Sequence, residues 1–304
     1  MISSMKRFAL LLAAVSVAHA AGKLNVVAAT QDLASIAEEV GGDRITVDSI
    51  AKGYQDPHFV EPKPSFLLKL QKADLLLTVG LQLEIGWLPP LIDQSRNAKI
   101  RPGGAAYLDA SLHARILDMP QGTITRALGD VHPLGNPHYW LDPENGRRIA
   151  RLFKAKFTEL DAKNAAVYDA NERAFEAKLN AAEKAWAGDL ATIRGKPVVA
   201  WHTSWRYFAE YTGMNIVAFM EPKPGVPPSP SHLYTVIQAV KRTGAKAIIM
   251  EPFYDRKVAD LVAKQTGIKV LLLPPSVGGI RGAPVNDYVS LMTYDMAQLA
   301  AAVK

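Results

Sequence analysis

Leu24-Asn25-Val26-Val27-Ala28-Ala29 is a short β-branched run, and Gln31 to Val40 follows it with Leu33, Ile36, Ala37 and Val40 at helical spacing before Gly41-Gly42. The first stretch reads as a strand and the second as a helix, closed by glycine. The same alternation returns along the chain. Ile45 to Ile50 is a second strand, Pro64 through Leu70 a helix and Leu75 to Val79 a third strand; Tyr107-Leu108 and the segment before Asn136 complete a first lobe. Val198 to Trp201, Ile216 to Phe219, Ala247 to Met250 and Val270 to Leu273 form a second set, separated by helices that end at Gly213, Gly244 and Gly267. Strand–helix–strand repetition predicts an α/β fold of parallel sheets covered by helices, with ligands bound beyond the C-terminal ends of the strands.

Residues 144 to about 193 differ in character. They have no glycine between Gly146 and Gly188, no proline before Pro197, and an excess of Ala, Glu, Lys, Arg, Leu and Asn. One helix is expected to end near Asp161. A second, running through Ala165, Tyr168, Phe175, Leu179 and Trp186, is expected to be about 25–30 residues and roughly 40 Å long at 1.5 Å per residue. Its apolar spacing is not sustained over enough heptads for a coiled coil, so it reads as a helix spanning two lobes. The predicted division is 1–20 leader, 21–143 N-terminal α/β lobe, 144–195 helical segment including the linker helix, and 196–304 C-terminal α/β lobe.

With 304 residues, 49% hydrophobic and 21% charged, the chain is globular and large enough for about two domains. The formal charge of +6 is mild and scattered, and no basic run interleaved with aromatics occurs, so a nucleic-acid partner is not expected. Lys6 and Arg7, the apolar run Phe8 to Val17 and Ala18-His19-Ala20 have the layout of a cleavable signal peptide. Cysteine is absent, which predicts a periplasmic protein without a lipid on a post-cleavage cysteine.

Asn136-Pro137-His138-Tyr139-Trp140-Leu141-Asp142-Pro143 has an echo eighty positions earlier in Asp56-Pro57-His58-Phe59-Val60-Glu61-Pro62. Proline before each histidine restrains φ and pushes the preceding residue to an extended conformation, so each loop presents an imidazole at a fixed place. His202 ends the apolar run Pro197 to Trp201. Three neutral imidazoles from separate loops suit a divalent transition metal held with one open position. The plainer reading is that these histidines cap or hydrogen-bond their own loops. His113, His132 and His232 read as surface histidines, His132 being the one placed to stray into a site. Trp140, Trp201 and Trp205 read as apolar walls of a site or as core. Glu221 reads as facing solvent.

These motifs, with Glu61-Pro62-Lys63-Pro64-Ser65, Ala200-Trp201-His202 leading into Tyr207-Phe208-Ala209-Glu210, Pro228-Ser229-Pro230 and Met250-Glu251-Pro252, resemble the zinc/manganese-type metal-binding solute-binding proteins of ABC importers (cluster A-I). The resemblance covers the whole mature chain. It implies two α/β lobes joined by one rigid helix, with the metal in the cleft and its first three ligands at His58, His138 and His202. The family's fourth ligand is usually an aspartate in a Leu-Asp-Pro turn, where this chain reads Leu273-Pro274-Pro275-Ser276. Glu251 and Glu61 are therefore candidate replacements, Glu251 alternatively orienting a ligand imidazole. The long His- and Asp-rich loop of zinc-type relatives is also missing: Ser111 to Gly135 holds only His113 and His132.

The resemblance implies a monomer that captures Zn2+, with Fe2+ or Mn2+ as alternatives, and delivers it to an ABC permease and its ATPase. Two further readings stand beside it. One is a metallohydrolase using a three-histidine site with Glu251 or Glu221 as base; the other is an adhesin or partner protein in which metal is structural. No H-E-x-x-H run, G-x-S-x-G elbow or Gly-rich phosphate loop supports an enzyme.

Overall fold

The computed structural model describes residues 22–121 and 132–304. The expected leader and part of the segment before Asn136 lie outside the described residues. Two four-stranded parallel sheets form the frame. The first holds β1 (Leu24–Ala28), β2 (Ile45–Ser49), β3 (Leu75–Thr78) and β4 (Tyr107–Asp109) in the order β2-β1-β3-β4. The second holds β5 (Pro197–Ala200), β6 (Asn215–Phe219), β7 (Ala247–Met250) and β8 (Lys269–Leu272) in the order β6-β5-β7-β8, the same winding.

Helices α1 (Gln31–Gly41), α2 (Pro64–Gln71) and α3 (Leu88–Gln94) accompany the first sheet, and α7 (Arg206–Thr212), α8 (Pro230–Thr243) and α9 (Lys257–Thr266) the second. α7, α8 and α9 end at Gly213, Gly244 and Gly267 with φ of 73°, 70° and 78°, a left-handed turn that glycine adopts without strain. α8 begins at a proline. Pro230 takes its first turn, and the Ser229 side chain accepts from the His232 amide at 3.3 Å.

The helical segment is α4 (Pro143–Leu160), α5 (Ala165–Ala185) and α6 (Ala187–Ile193), with α10 (Tyr288–Val303) closing the chain. α5 has 21 residues, so it spans about 32 Å, shorter than expected because the chain turns at Trp186. Side chains alternate across the strands and divide the core accordingly. Val26, Ala28, Leu75, Leu77, Val198, Ala200 and Ile249 point into one continuous core with Phe153, Phe175, Tyr288 and Met292 of α4, α5 and α10. Val27, Ala29 and Leu76 face a private core of the first lobe, and Val199, Ile248 and Met250 one of the second. The lobes thus share apolar packing in addition to a connecting helix. Among the described residues, no helix is long and apolar enough to cross a membrane.

Candidate metal centre

The two proline-histidine motifs divide their labour. Only the second acidic-proline half begins a helix: Asp142 caps α4, its side chain accepting from Glu144 N at 2.9 Å with Pro143 in the first turn, whereas Glu61-Pro62 lies ahead of α2, which opens at Pro64. Their Asx-Pro-His halves present the imidazoles. Asp56 Oδ1 accepts both the backbone N–H of His58, at 3.0 Å, and its ring Nδ1–H, at 2.7 Å. Asn136 Oδ1 does the same for His138, at 3.0 and 2.9 Å. His202, two residues beyond β5, donates Nδ1–H to Glu221 Oε2 at 2.6 Å. An oxygen acceptor places the proton on Nδ1 and leaves the Nε2 lone pair free. Nε2 of His58 and of His202 are buried with no partner.

The three rings converge. Centroid separations are 5.2 Å for His58–His138, 5.4 Å for His58–His202 and 5.3 Å for His138–His202. One nitrogen of each lies within 4.8 Å of those of the other two. Zn–N bonds of about 2.0–2.1 Å, with ring nitrogens about 1.1 Å from their centroids, put tetrahedrally disposed imidazoles about 5.2 Å apart. The rings surround a cavity of about 10 Å³ that residues of both lobes line, among them Asp56, Trp140, Ser204, Glu251, Tyr254 and Pro275. That is room for about one ion or water.

Aromatic side chains pin the loops from outside. Trp87 Nε1–H donates to Pro57 O at 2.9 Å, and Tyr207 O–H to Asn136 O at 2.7 Å. Tyr288 O–H donates to Trp140 O at 2.6 Å, and Trp140 Nε1–H to Pro275 O of the second lobe at 2.8 Å. Trp201 stacks on Tyr254 with centroids 5.6 Å apart, and Trp205 packs in the core against Phe208.

Burial, reinforced by the neighbouring imidazoles His58, His202 and His132, pushes the His138 ring well below its ordinary pKa, so it stays neutral. Burial opposes ionisation of Asp56, yet its hydrogen bonds to His58 and the field of that ring hold the carboxyl below the usual range. Burial raises Glu251 to about 8, with Ser204 opposing through a hydrogen bond and Glu221 and Asp56 adding to it.

Several expectations change here. Glu61 is exposed and outside the cavity, because its neighbour Val60 is drawn into the first lobe's core and turns Glu61 outward. Glu251 lines the cavity but bonds to Ser204, not to an imidazole, and stands apart from the three converging nitrogens. Glu221 does not face solvent: its side chain is 9% exposed and bonded to His202. His132 is not a surface histidine, since its ring lies 5.3 Å from that of His58. His232 is half-buried, its Nε2 bonded to Phe219 O at 2.9 Å, while His113 is exposed. The orienting roles of Asp56 and Asn136 escaped sequence reasoning, although an Asx two residues before each histidine was the visible signal.

Fold and site together define a two-lobed binding protein that gathers imidazoles from both lobes around an ion-sized cavity. A profile described as zinc-uptake complex component A, periplasmic, matches residues 26–302, and the chain belongs to this family of transport proteins. The metal ABC transporter substrate-binding lipoprotein ScbA of Streptococcus cristatus is 27% identical over 285 residues, covering 91% of this chain and 88% of the relative. The manganese ABC transporter substrate-binding lipoprotein scaA of Streptococcus gordonii is 26% identical, and the iron ABC transporter substrate-binding lipoprotein MtsA of Streptococcus pyogenes serotype M1 25%, each with the same coverage. Among solved structures, a zinc-bound deletion mutant of ZnuA superposes with a TM-score of 0.78 at 26% identity, covering 93% of this chain and 98% of that one. The family's role is that of the substrate-binding component of a metal ABC importer.

Proposed function

We propose that this chain captures a divalent transition-metal ion in the periplasm, Zn2+ first with Fe2+ and Mn2+ as alternatives, and passes it to an ABC permease and its ATPase. His58, His138 and His202 hold the ion through Nε2. The observation that carries this reading is the near-equilateral triangle of their rings, each fixed through Nδ1 by a dedicated oxygen. The metal is cargo, and the protein's own contribution is a preset geometry that lowers the cost of ordering the ligands.

The chain divides, in this reading, into lobes 21–143 and 196–304 around the helical segment 144–195, and it acts as a monomer after removal of residues 1–20. Because α4, α5 and α10 pack both sheets into one core, release proceeds by a modest loop or lobe adjustment. A hydrolytic role gains little support, since Glu221, one of its two candidate bases, is occupied by His202 Nδ1.

Competitive binding of Zn2+, Mn2+ and Fe2+ to metal-stripped protein tests the reading, with His58→Ala as control. Tight binding of at least one ion, lost in the variant, is expected. Binding of none of the three, or undiminished binding by the variant, overturns it.

A further inference from the structure

One wall of the metal cavity, Pro275, reaches it on the loop that follows β8 of the second lobe. What holds that loop in place lies away from the cavity, on α1 of the first lobe. We propose that Asp32 is a positioning residue for metal retention: it latches the Pro275–Val277 loop onto the first lobe, and the bound ion leaves when that latch opens. This rests on the metal-capture reading above.

Asp32 is fully buried, and its carboxylate is engaged across the lobe boundary. Its Oδ2 accepts Ser276 Oγ–H at 2.8 Å and its Oδ1 accepts Val277 N–H at 3.0 Å, over 244 and 245 positions of chain. One turn further along α1, Ser35 Oγ accepts Tyr288 N–H at 3.0 Å. A buried helix face is ordinarily apolar, yet this one carries two polar groups, both satisfied by the C-terminal segment.

The latched loop braces two of the three ligand loops. Pro275 O accepts Nε1–H of Trp140, which stands two residues after His138 with its ring 5.5 Å from that imidazole. Val277 O lies against Gly53, five residues before His58, so closely that any Cβ at Gly53 would collide with it. Asp32 acts on the ion through this loop: Pro275 lines the cavity, and Ser276 and Val277 are tied down behind it. Untying them frees the wall while leaving the three histidines bonded to their own oxygens.

The latch also titrates near neutrality. Burial raises Asp32 to about 7, with the hydrogen bonds from Val277 and Ser276 opposing. From α10, Tyr288 and Asp295 lie within its field. Asp295 has both carboxyl oxygens buried without a hydrogen-bond partner, and burial, together with the charge on Asp32, raises its pKa well above the ordinary carboxyl value and favours its protonated form. Ionised Asp32 accepts the two loop donors as a charged group, and protonation removes part of that strength. The latch therefore tightens as pH rises through about 7 and loosens below it.

Stopped-flow release of Zn2+ from the loaded full chain into excess chelator tests this. Asp32→Ala should release Zn2+ about tenfold faster or more, the scale of losing hydrogen bonds to a charged group. Association should be no slower, and X-ray absorption should count as many imidazoles as in the parent. Asp32→Asn, which keeps the shape, and Ser276→Ala, which removes one of the two bonds, should fall between parent and Asp32→Ala. The ratio of release rates, Asp32→Asn to parent, should grow from about pH 6 to about pH 8, since imidazole protonation affects both chains alike. Hydrogen exchange from Ser276 to Gly279 should be slowed by Zn2+ in the parent and stay fast with or without it in Asp32→Ala. Parent-like release in all three variants, a ratio flat with pH, or exchange indifferent to Zn2+ in the parent overturns the latch, while binding lost in His58→Ala keeps the metal-capture reading. A parent that binds no Zn2+ overturns both.

Discussion

Replacing Glu221 isolates the effect of orientation on affinity. The carboxylate touches no metal position; it accepts Nδ1–H of His202 at 2.6 Å, with the two side chains 9% and 6% exposed, and also receives the Gly225 amide at 3.4 Å. A hydrogen bond to a charged group in such a setting is worth about 1.5–3 kcal/mol. Conserving the shape but removing the charge, Glu221→Gln, should weaken zinc binding about tenfold, and Glu221→Ala about 10–100-fold. The glutamine has a second effect. Its amide can turn its own N–H toward Nδ1, which would move the imidazole proton to Nε2 and remove the lone pair that binds metal. Chelator competition at pH 7.5, with circular dichroism to confirm folding, reads the change. If both variants bind zinc as tightly as the parent while His202→Ala does not, the argument from Nδ1 anchoring is wrong.

Glu251 gives a pH test. Its folded-state pKa of about 8 lies above the ordinary carboxyl value, so between about pH 4.5 and 8 the folded chain holds a proton that the unfolded chain has lost, and stability falls as pH rises. Relative to metal-free Glu251→Gln, the metal-free parent should lose up to about 1.4 kcal/mol per pH unit across that window; parallel urea-denaturation curves at pH 5.5 and 7.5 would contradict this. Trp140→Phe should leave the Pro275 carbonyl without its donor and cost about 1–3 kcal/mol in denaturant unfolding, before any cavity term. A change under about 0.5 kcal/mol would mean that water replaces the indole N–H. Chelation should leave the chain folded, because its cores are built from apolar side chains, and zinc at about 100 times its Kd should add about 2.7 kcal/mol of stability. Unfolding on chelation would instead favour a structural metal.

The sequence by itself determined the elements and their order. Every strand it predicts from Leu24 to Leu273 lies within a residue of its observed ends, and the glycines after α7, α8 and α9 close those helices as expected. These are local matters, set by side-chain alternation, β-branching and the φ that glycine tolerates. His58, His138 and His202 were legible because proline and apolar context mark them within a few residues.

Only the tertiary structure decided what surrounds those rings. Glu221 lies nineteen positions from His202 and His132 seventy-four from His58, distances along the chain over which no periodicity operates. Glu61, adjacent to the His58 motif in sequence, turns outward because Val60 is buried in the first lobe's core, whereas Pro275 reaches the cavity from the other lobe. Sequence fixes which groups a loop can present. Packing of two sheets into one shared core fixes which of them meet, because burial and hydrogen-bond satisfaction are settled across the whole chain.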